Sequence, residues 1–263
     1  MKFNEWLVKF LVWRMKYISN NNFVLILSGI VGLIAGIAAI TLKGSVHFIQ
    51  DTLVGYITTT GFDFLYLFYP LLGILLTMIV SKYILKEKLG HGITQILFII
   101  SKRSSIIKRT MMYSRMITSA ITVGFGGSVG LEAPIVVTGS AIGSNLGRLT
   151  HLNYKKRTLL IACGGAGAVS AIFNSPIAGV IFAIEVILTD VTINKFIPIL
   201  ISSVSGALIS KSVMGDDLLF SFKLQDPFLA EHAGYFVLLG ITCGIVSVHF
   251  TRLTYLIEKQ QMF

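Results

Sequence analysis

Cysteine, acidic side chains and charge of any kind are scarce in this chain, and each shortage removes a class of protein. The two cysteines, Cys163 and Cys243, lie in separate apolar segments with no metal-ligand spacing, so neither a disulfide framework nor a zinc site is expected. Only 13% of residues are charged while 54% are hydrophobic, and the mean hydropathy is +0.80, which excludes an ordinary soluble domain. Acidic residues number 12 against 22 basic ones, for a formal charge of +10. A nucleic-acid binder would gather that excess on one surface. Here it falls in short clusters between apolar runs, the pattern of membrane topology signals and headgroup contacts. The glycine runs at 124–130 and 164–168 lack the Lys-Ser/Thr ending of a phosphate loop. No metal or organic cofactor is expected, no soluble domain is visible, and the N-terminus lacks the cleavage pattern of a signal peptide.

What is present is a succession of apolar segments. Residues 1–22, with Lys2, Lys9, Arg14 and Lys16 among Trp6, Leu7, Leu11 and Trp13, read as a basic amphipathic helix lying in the interface. A first span is expected at 23–48 and a second at about 64–81, separated by residues 49–63, which contain no Lys or Arg. The apolar run 92–100 is too short to cross a core of about 30 Å and is expected to dip in and return. A segment at 110–125 leads into a glycine-rich stretch, and 132–147 reads as a partial helix. Residues 158–188 carry a second expected break at Gly164, Gly165 and Gly167, with a helix restarting at Pro176. A span at 194–214, a polar loop at 215–232 and a last span at 233–257 follow. The positive-inside rule puts the N-terminus and the clusters at 82–88, 102–109 and 148–157 in the cytoplasm. The short loops suit a bacterial inner membrane. Short, Gly/Pro-interrupted helices in succession suggest a transport protein with a site near the midplane.

One residue stands out against this background. Glu132 follows Gly126, Gly127 and Gly130 and precedes Pro134, in a stretch that otherwise reads as membrane-buried. A carboxylate at bilayer depth costs roughly 2.5–3.5 kcal/mol on insertion scales, so it is a functional candidate by default. Glycine is a poor helix former, and Pro134 suits a first helical turn, so the pattern predicts irregular backbone followed by a helix N-terminus beside Glu132. Membranes tolerate irregular backbone only where it lines a cavity or is buried in protein. A structural Glu satisfied by a neighbour such as Arg115 is the plainer alternative. The string Gly126-Gly-Ser128-Val-Gly130 also matches the G-x-S-x-G pattern of serine hydrolases, and with His249 it allows an intramembrane Ser–His enzyme as a competing reading.

Three stretches carry a family resemblance: Gly90-His-Gly-Ile-Thr94, Gly130-Leu-Glu-Ala-Pro134, and the run from Gly164 through Phe173, Pro176, Gly179 and Phe182 to Glu185. In content, order and spacing they resemble the N-terminal signatures of the CLC chloride channel and transporter family. The resemblance implies an all-α polytopic membrane protein with broken, re-entrant helices. Residues 23–214 would be the first inverted repeat, and 233–263 would open an incomplete second one. It implies chloride or a similar small anion as substrate, a homodimer in the complete protein, and no enzymatic activity. It also implies that these residues are about the N-terminal half of a functional subunit, a fragment that should not conduct alone. Glu132 would be the gate, competing with the anion when deprotonated. His91, Gly92, Ile93, Gly130, Leu131, Glu132 and Ala133 would frame the anion site, with helix N-termini at Gly92 and Glu132 supplying backbone donors.

Four departures from the family pattern bear on function. His91 stands where a serine is usual, Thr94 replaces a proline, Leu131 replaces a basic residue and Ala133 a glycine. Val186 occupies the position where exchanger-type members often carry a proton-transferring glutamate, which favours a passive channel over a Cl⁻/H⁺ antiporter. Glu185 is expected at a helix end or subunit contact, in preference to a proton path. A non-conducting scaffold remains a further alternative.

Overall fold

Residues 16–17, 19–60, 67–86, 92–188, 192–215 and 233–261 are described here from a computed structural model. The expected interfacial helix at 1–22, His91, Asp190 and nearly all of the 215–232 loop fall wholly or largely outside them. Among the described residues every regular element is helical. The chain divides into two units, Met1–Leu219 and Phe220–Phe263.

The first unit begins with α1, Asn20–Thr60, a single helix of 41 residues. It was expected to stop near residue 48. Nothing breaks it: no proline occurs between 49 and 60, and the Thr-rich tail, with Asp51 as its one charge, continues the helix. At 1.5 Å per residue α1 is roughly 60 Å long, about twice the hydrocarbon thickness, so it tilts or projects. Next come α2, Tyr69–Ile79, which runs into a π-turn at Val80–Leu85, and the short α3, Gly92–Lys102. A 3₁₀ turn at Arg109–Met112 precedes α4, Ser114–Gly124, and α5 covers Glu132–Leu149. The remaining helices of this unit are α6, Tyr154–Phe173; α7, Pro176–Phe182, ending in a π-turn at Ala183–Ile187; and α8, Ile193–Met214. The second unit contains α9, Ala233–Gln261. Helices α1, α6, α8 and α9 are long and apolar enough to cross a membrane, whereas α3 and the Pro176–Ile187 segment are not.

Helix α6 is the axle of the first unit, and α1, α5, α7 and α8 all pack on it. Its glycines do not interrupt it, contrary to the expected break at 164–168. The chain turns only at Asn174, which adopts a left-handed φ of 55°, just before Pro176. Gly164 instead meets Gly139 of α5 backbone to backbone, and Gly167 lies against Gly32 of α1 and Ser202 of α8. A Cβ at Gly164 would collide with the Gly139 carbonyl, and one at Gly143 with the Leu160 carbonyl. In a bilayer, where apolar association gains nothing from water, such close contact supplies the dispersion that holds helices together. That gain offsets the helix-propensity cost of each glycine.

Serine hydroxyls complete the polar bookkeeping of this core. Ser202 donates to the Cys163 carbonyl at 2.7 Å, and Ser210 to the Ala171 carbonyl at 2.7 Å. The Ser170 and Ser203 hydroxyls lie 2.7 Å apart beside Gly179.

The basic clusters gather at one end of the first unit. Lys155 and Lys195 share a cavity with Ile100 at the end of α3, and a second cavity adds Asn21 at the start of α1. Arg157 donates Nη1 to the Ser104 carbonyl at 3.1 Å, and Lys86, Arg103 and Lys108 line a third cavity. Clusters far apart in sequence therefore lie on one face.

Candidate functional site

The break before α5 is built by α4, α2 and α1. Helix α4 stops at Gly124, packed against the Ile49 side chain of α1, and Gln50 Nε2 donates to the Val123 carbonyl at 3.3 Å. Phe125 is held edge-on to Tyr69, with ring centroids 6.4 Å apart, and its Cβ fills the space beside Gly73 of α2. Thr77 and Thr122 join α2 to α4 by a hydroxyl pair at 2.8 Å. Gly126 then turns the chain with φ of +86°, a conformation that favours glycine, and the Gly127 N–H is tied back to the Thr122 carbonyl at 2.9 Å.

Helix α5 starts at Glu132, with Pro134 in its first turn, where a missing N–H leaves no broken bond. Its first intrahelical hydrogen bond runs from the Ile135 N–H to the Leu131 carbonyl at 3.1 Å. The N–H groups of Glu132 and Ala133 precede that bond and point out of the helix end. Glu132 is exposed, and its carboxylate folds back over Gly130, where a Cβ would collide with it. Gly130 is thus the space that lets the carboxylate lie across its own helix N-terminus.

The start of α3 meets this place. Gly92, the first residue of α3, lies so close that a Cβ there would sit 3.5 Å from the Ala133 Cβ and 3.9 Å from Val137 Cγ2. Two helix N-termini therefore converge beside Glu132, each carrying about half a positive charge and unpaired N–H groups. Helix α3 is 11 residues long and ends at the basic face, so its start lies roughly 16 Å inward, about half of a hydrocarbon core. Gly92 thus meets Ala133, and Gly130 lies under the Glu132 carboxylate; Ile93 and Leu131 pack on two different core clusters, and His91 lies outside the described residues. The arrangement can hold a small anion on backbone donors without burying a full cation opposite it.

Arg115 does not serve Glu132. It donates Nη2 to Gln95 Oε1 of α3 at 3.0 Å, and Glu132 forms no ion pair among the described residues. Gln95 was not singled out from the sequence; its amide, one turn into a short helix whose middle, Ile96–Ile100, is apolar, was the available signal. Ser128 is exposed in the break and follows a helix, whereas a nucleophile elbow follows a strand. His249 is on α9, in the other unit. Glu185 is exposed in the π-turn after α7, and Val186 packs on the apolar core.

An all-helical, glycine-packed frame of apolar helices, one of them broken beside a carboxylate, defines a polytopic membrane protein. The match of residues 72–262 to the model for the voltage gated chloride channel family is more specific, and the chain belongs to that family. It is 29% identical to chloride channel protein CLC-f of Arabidopsis thaliana over 62% of this chain and 22% of that protein. It is 26% identical to the H(+)/Cl(-) exchange transporter ClcA of Vibrio cholerae over 88% of this chain and 51% of that protein. The chain thus spans about a fifth to a half of the length of these relatives. In fold it resembles a slow cyanobacterial Cl-/H+ antiporter with a TM-score of 0.73 and 21% identity, covering 87% of this chain and 56% of the other. It also resembles a CLC-type fluoride/proton antiporter with a TM-score of 0.68 and 24% identity, covering 86% of this chain and 55% of the other.

Proposed function

We propose that this chain forms part of the anion path of a membrane transport protein, with chloride as the substrate and Glu132 as a tethered gate. The observation that carries the reading is the meeting of the α3 and α5 N-termini beside an exposed carboxylate, with Gly92 against Ala133. A deprotonated Glu132 would compete for the same donors as the anion; protonated or displaced, it would leave them to it. The protein would work in the cell membrane as a homodimer, with the basic face cytoplasmic.

Whether conduction is passive or coupled to protons divides two readings. Val186, which has no titratable group, supports a channel; the H(+)/Cl(-) exchange activity of several similar proteins supports an antiporter. One experiment addresses both. Chloride efflux is measured from liposomes holding the full-length protein, with and without a proton ionophore, for wild type and Glu132→Ala. Altered flux in the variant supports the gate, and unchanged flux rejects it. Chloride flow that drives protons uphill selects the antiporter; electrogenic flow without protons selects the channel.

A further inference from the structure

Gln95 is half-buried on α3, three residues after Gly92, and its Oε1 accepts from Arg115 Nη2 at 3.0 Å. Arg115 is the second residue of α4, the helix that leads through Gly126 into the break before Glu132. A polar bond thus joins the helix that supplies one N-terminus to the helix that leads to the other. We infer that Gln95 is a positioning residue for anion binding: held by Arg115, it sets how far α3 reaches toward Ala133 and Glu132. The inference rests on the reading of that meeting point as the anion site.

Apolar contacts hold the inward face of α3. Ile96 and Ile99 are buried, Ile93 and Ile100 pack on the same core, and Val136, Val137 and Ala141 of α5 belong to it. Burial of this kind is non-directional, so it presses α3 against α5 without fixing its register along the axis. A hydrogen bond is directional and holds its length within a few tenths of an ångström. The bond from Arg115 is also charge-assisted and comes from a planar guanidinium, which makes it a stiff restraint.

Geometry gives this bond its leverage. Gln95 lies about 4.5 Å along the axis from Gly92, so a shift at Gln95 passes through one helical turn to the N-terminus. The contact there is close: a Cβ at Gly92 would stand 3.5 Å from the Ala133 Cβ. The donors offered to an anion are backbone N–H groups, which cannot extend toward it as a flexible side chain can. A withdrawn α3 therefore leaves the α5 N-terminus to act alone. A neutral amide achieves the restraint without a carboxylate one turn from the anion, where its charge would repel it.

Arg115 has a further interaction, so its own loss would act through more than Gln95, and the test turns on Gln95. It uses the full-length protein with Cys163 and Cys243 replaced by alanine. The pair Gly92→Cys/Ala133→Cys reports the contact, because Cβ atoms about 3.5–4.5 Å apart suit a disulfide. Mild oxidation should close the pair, as counted by the thiols left for alkylation. Gln95→Met should slow closure several-fold, and Gln95→Glu, which keeps an oxygen for Arg115, should restore the parent rate. In liposomes, without the cysteine pair, Gln95→Met should raise the half-saturating chloride concentration about tenfold, as misplaced site groups do. Ser210→Ala, which removes a core hydrogen bond between α8 and α6, should leave that concentration unchanged. In an Arg115→Met background Gln95→Met should add nothing, since the bond is already absent. Three results would overturn the proposal: parent-rate closure in Gln95→Met, an unmoved half-saturating concentration, or an equal effect of Gln95→Met with and without Arg115. Glu132→Ala, run beside them, tests the gate separately: unchanged flux there rejects the gate, whereas those three results reject the role of Gln95 alone.

Discussion

Glu132 and Gly130 act as a pair. The carboxylate can lie over the start of α5 only because position 130 has no side chain, and a methyl group there would meet it directly. Gly130→Ala should therefore displace the carboxylate without removing it. Under the proposed gate this variant should change chloride flux in liposomes in the same direction as Glu132→Ala, while Ser128→Ala should leave flux unchanged. Wild-type flux in Gly130→Ala would show that the folded-back position of the carboxylate has no part in transport. The sequence marked Glu132 by its cost in a membrane, but the reason for Gly130 is a contact two residues away that only coordinates display.

At the scale of elements, close glycine contacts decide how α5, α6, α1 and α8 pack. At Gly164 a Cβ would run into the Gly139 backbone, so Gly164→Ala should force α5 and α6 apart and cost about 1–3 kcal/mol. Gly44 on α1 has nothing within 4 Å of its would-be Cβ, and Gly44→Ala should be neutral or slightly stabilising through helix propensity. Thermal unfolding in detergent distinguishes them: the midpoint should fall for Gly164→Ala and hold or rise for Gly44→Ala. The sequence reading took Gly164, Gly165 and Gly167 for a helix break because glycine is the poorest non-proline helix former. Composition alone cannot separate a glycine that ends a helix from one that admits a neighbour. Burial separates them, since a fully packed helix keeps its hydrogen bonds whatever its intrinsic propensity.

For the whole first unit, the gathering of basic residues at one end predicts sidedness. Helix α8 runs away from that end: Lys195 lines the basic face, and Lys211, in the last turn, is roughly 24 Å further along. In a background with Cys163 and Cys243 replaced by alanine, single cysteines at Lys102 and Lys155 should react with an impermeant thiol reagent from the same side of the membrane. One at Lys211 should react from the other side. Labelling of all three from one side would contradict the orientation. The 41-residue length of α1 belongs to this scale too, because a span of 23–48 counts apolar residues, whereas the helix ends where the backbone is broken.

The class of fold was legible from the residues alone, and Glu132 was marked as a candidate. Hydropathy, scarcity of charge and one carboxylate among glycines suffice for that, because a bilayer penalises each charge and each unsatisfied backbone group so heavily that few patterns survive. The order and spacing of three short motifs carried the family as well. Only the tertiary structure decided that Gly92 and Ala133 touch, that Arg115 turns to Gln95 and not to Glu132, and that Lys86, Arg103, Lys108 and Arg115 share one cavity. These are contacts between segments distant in the chain, set by the direction in which each short helix leaves its turn. No local pattern of residues encodes that direction; the packing of glycine faces around α6 does.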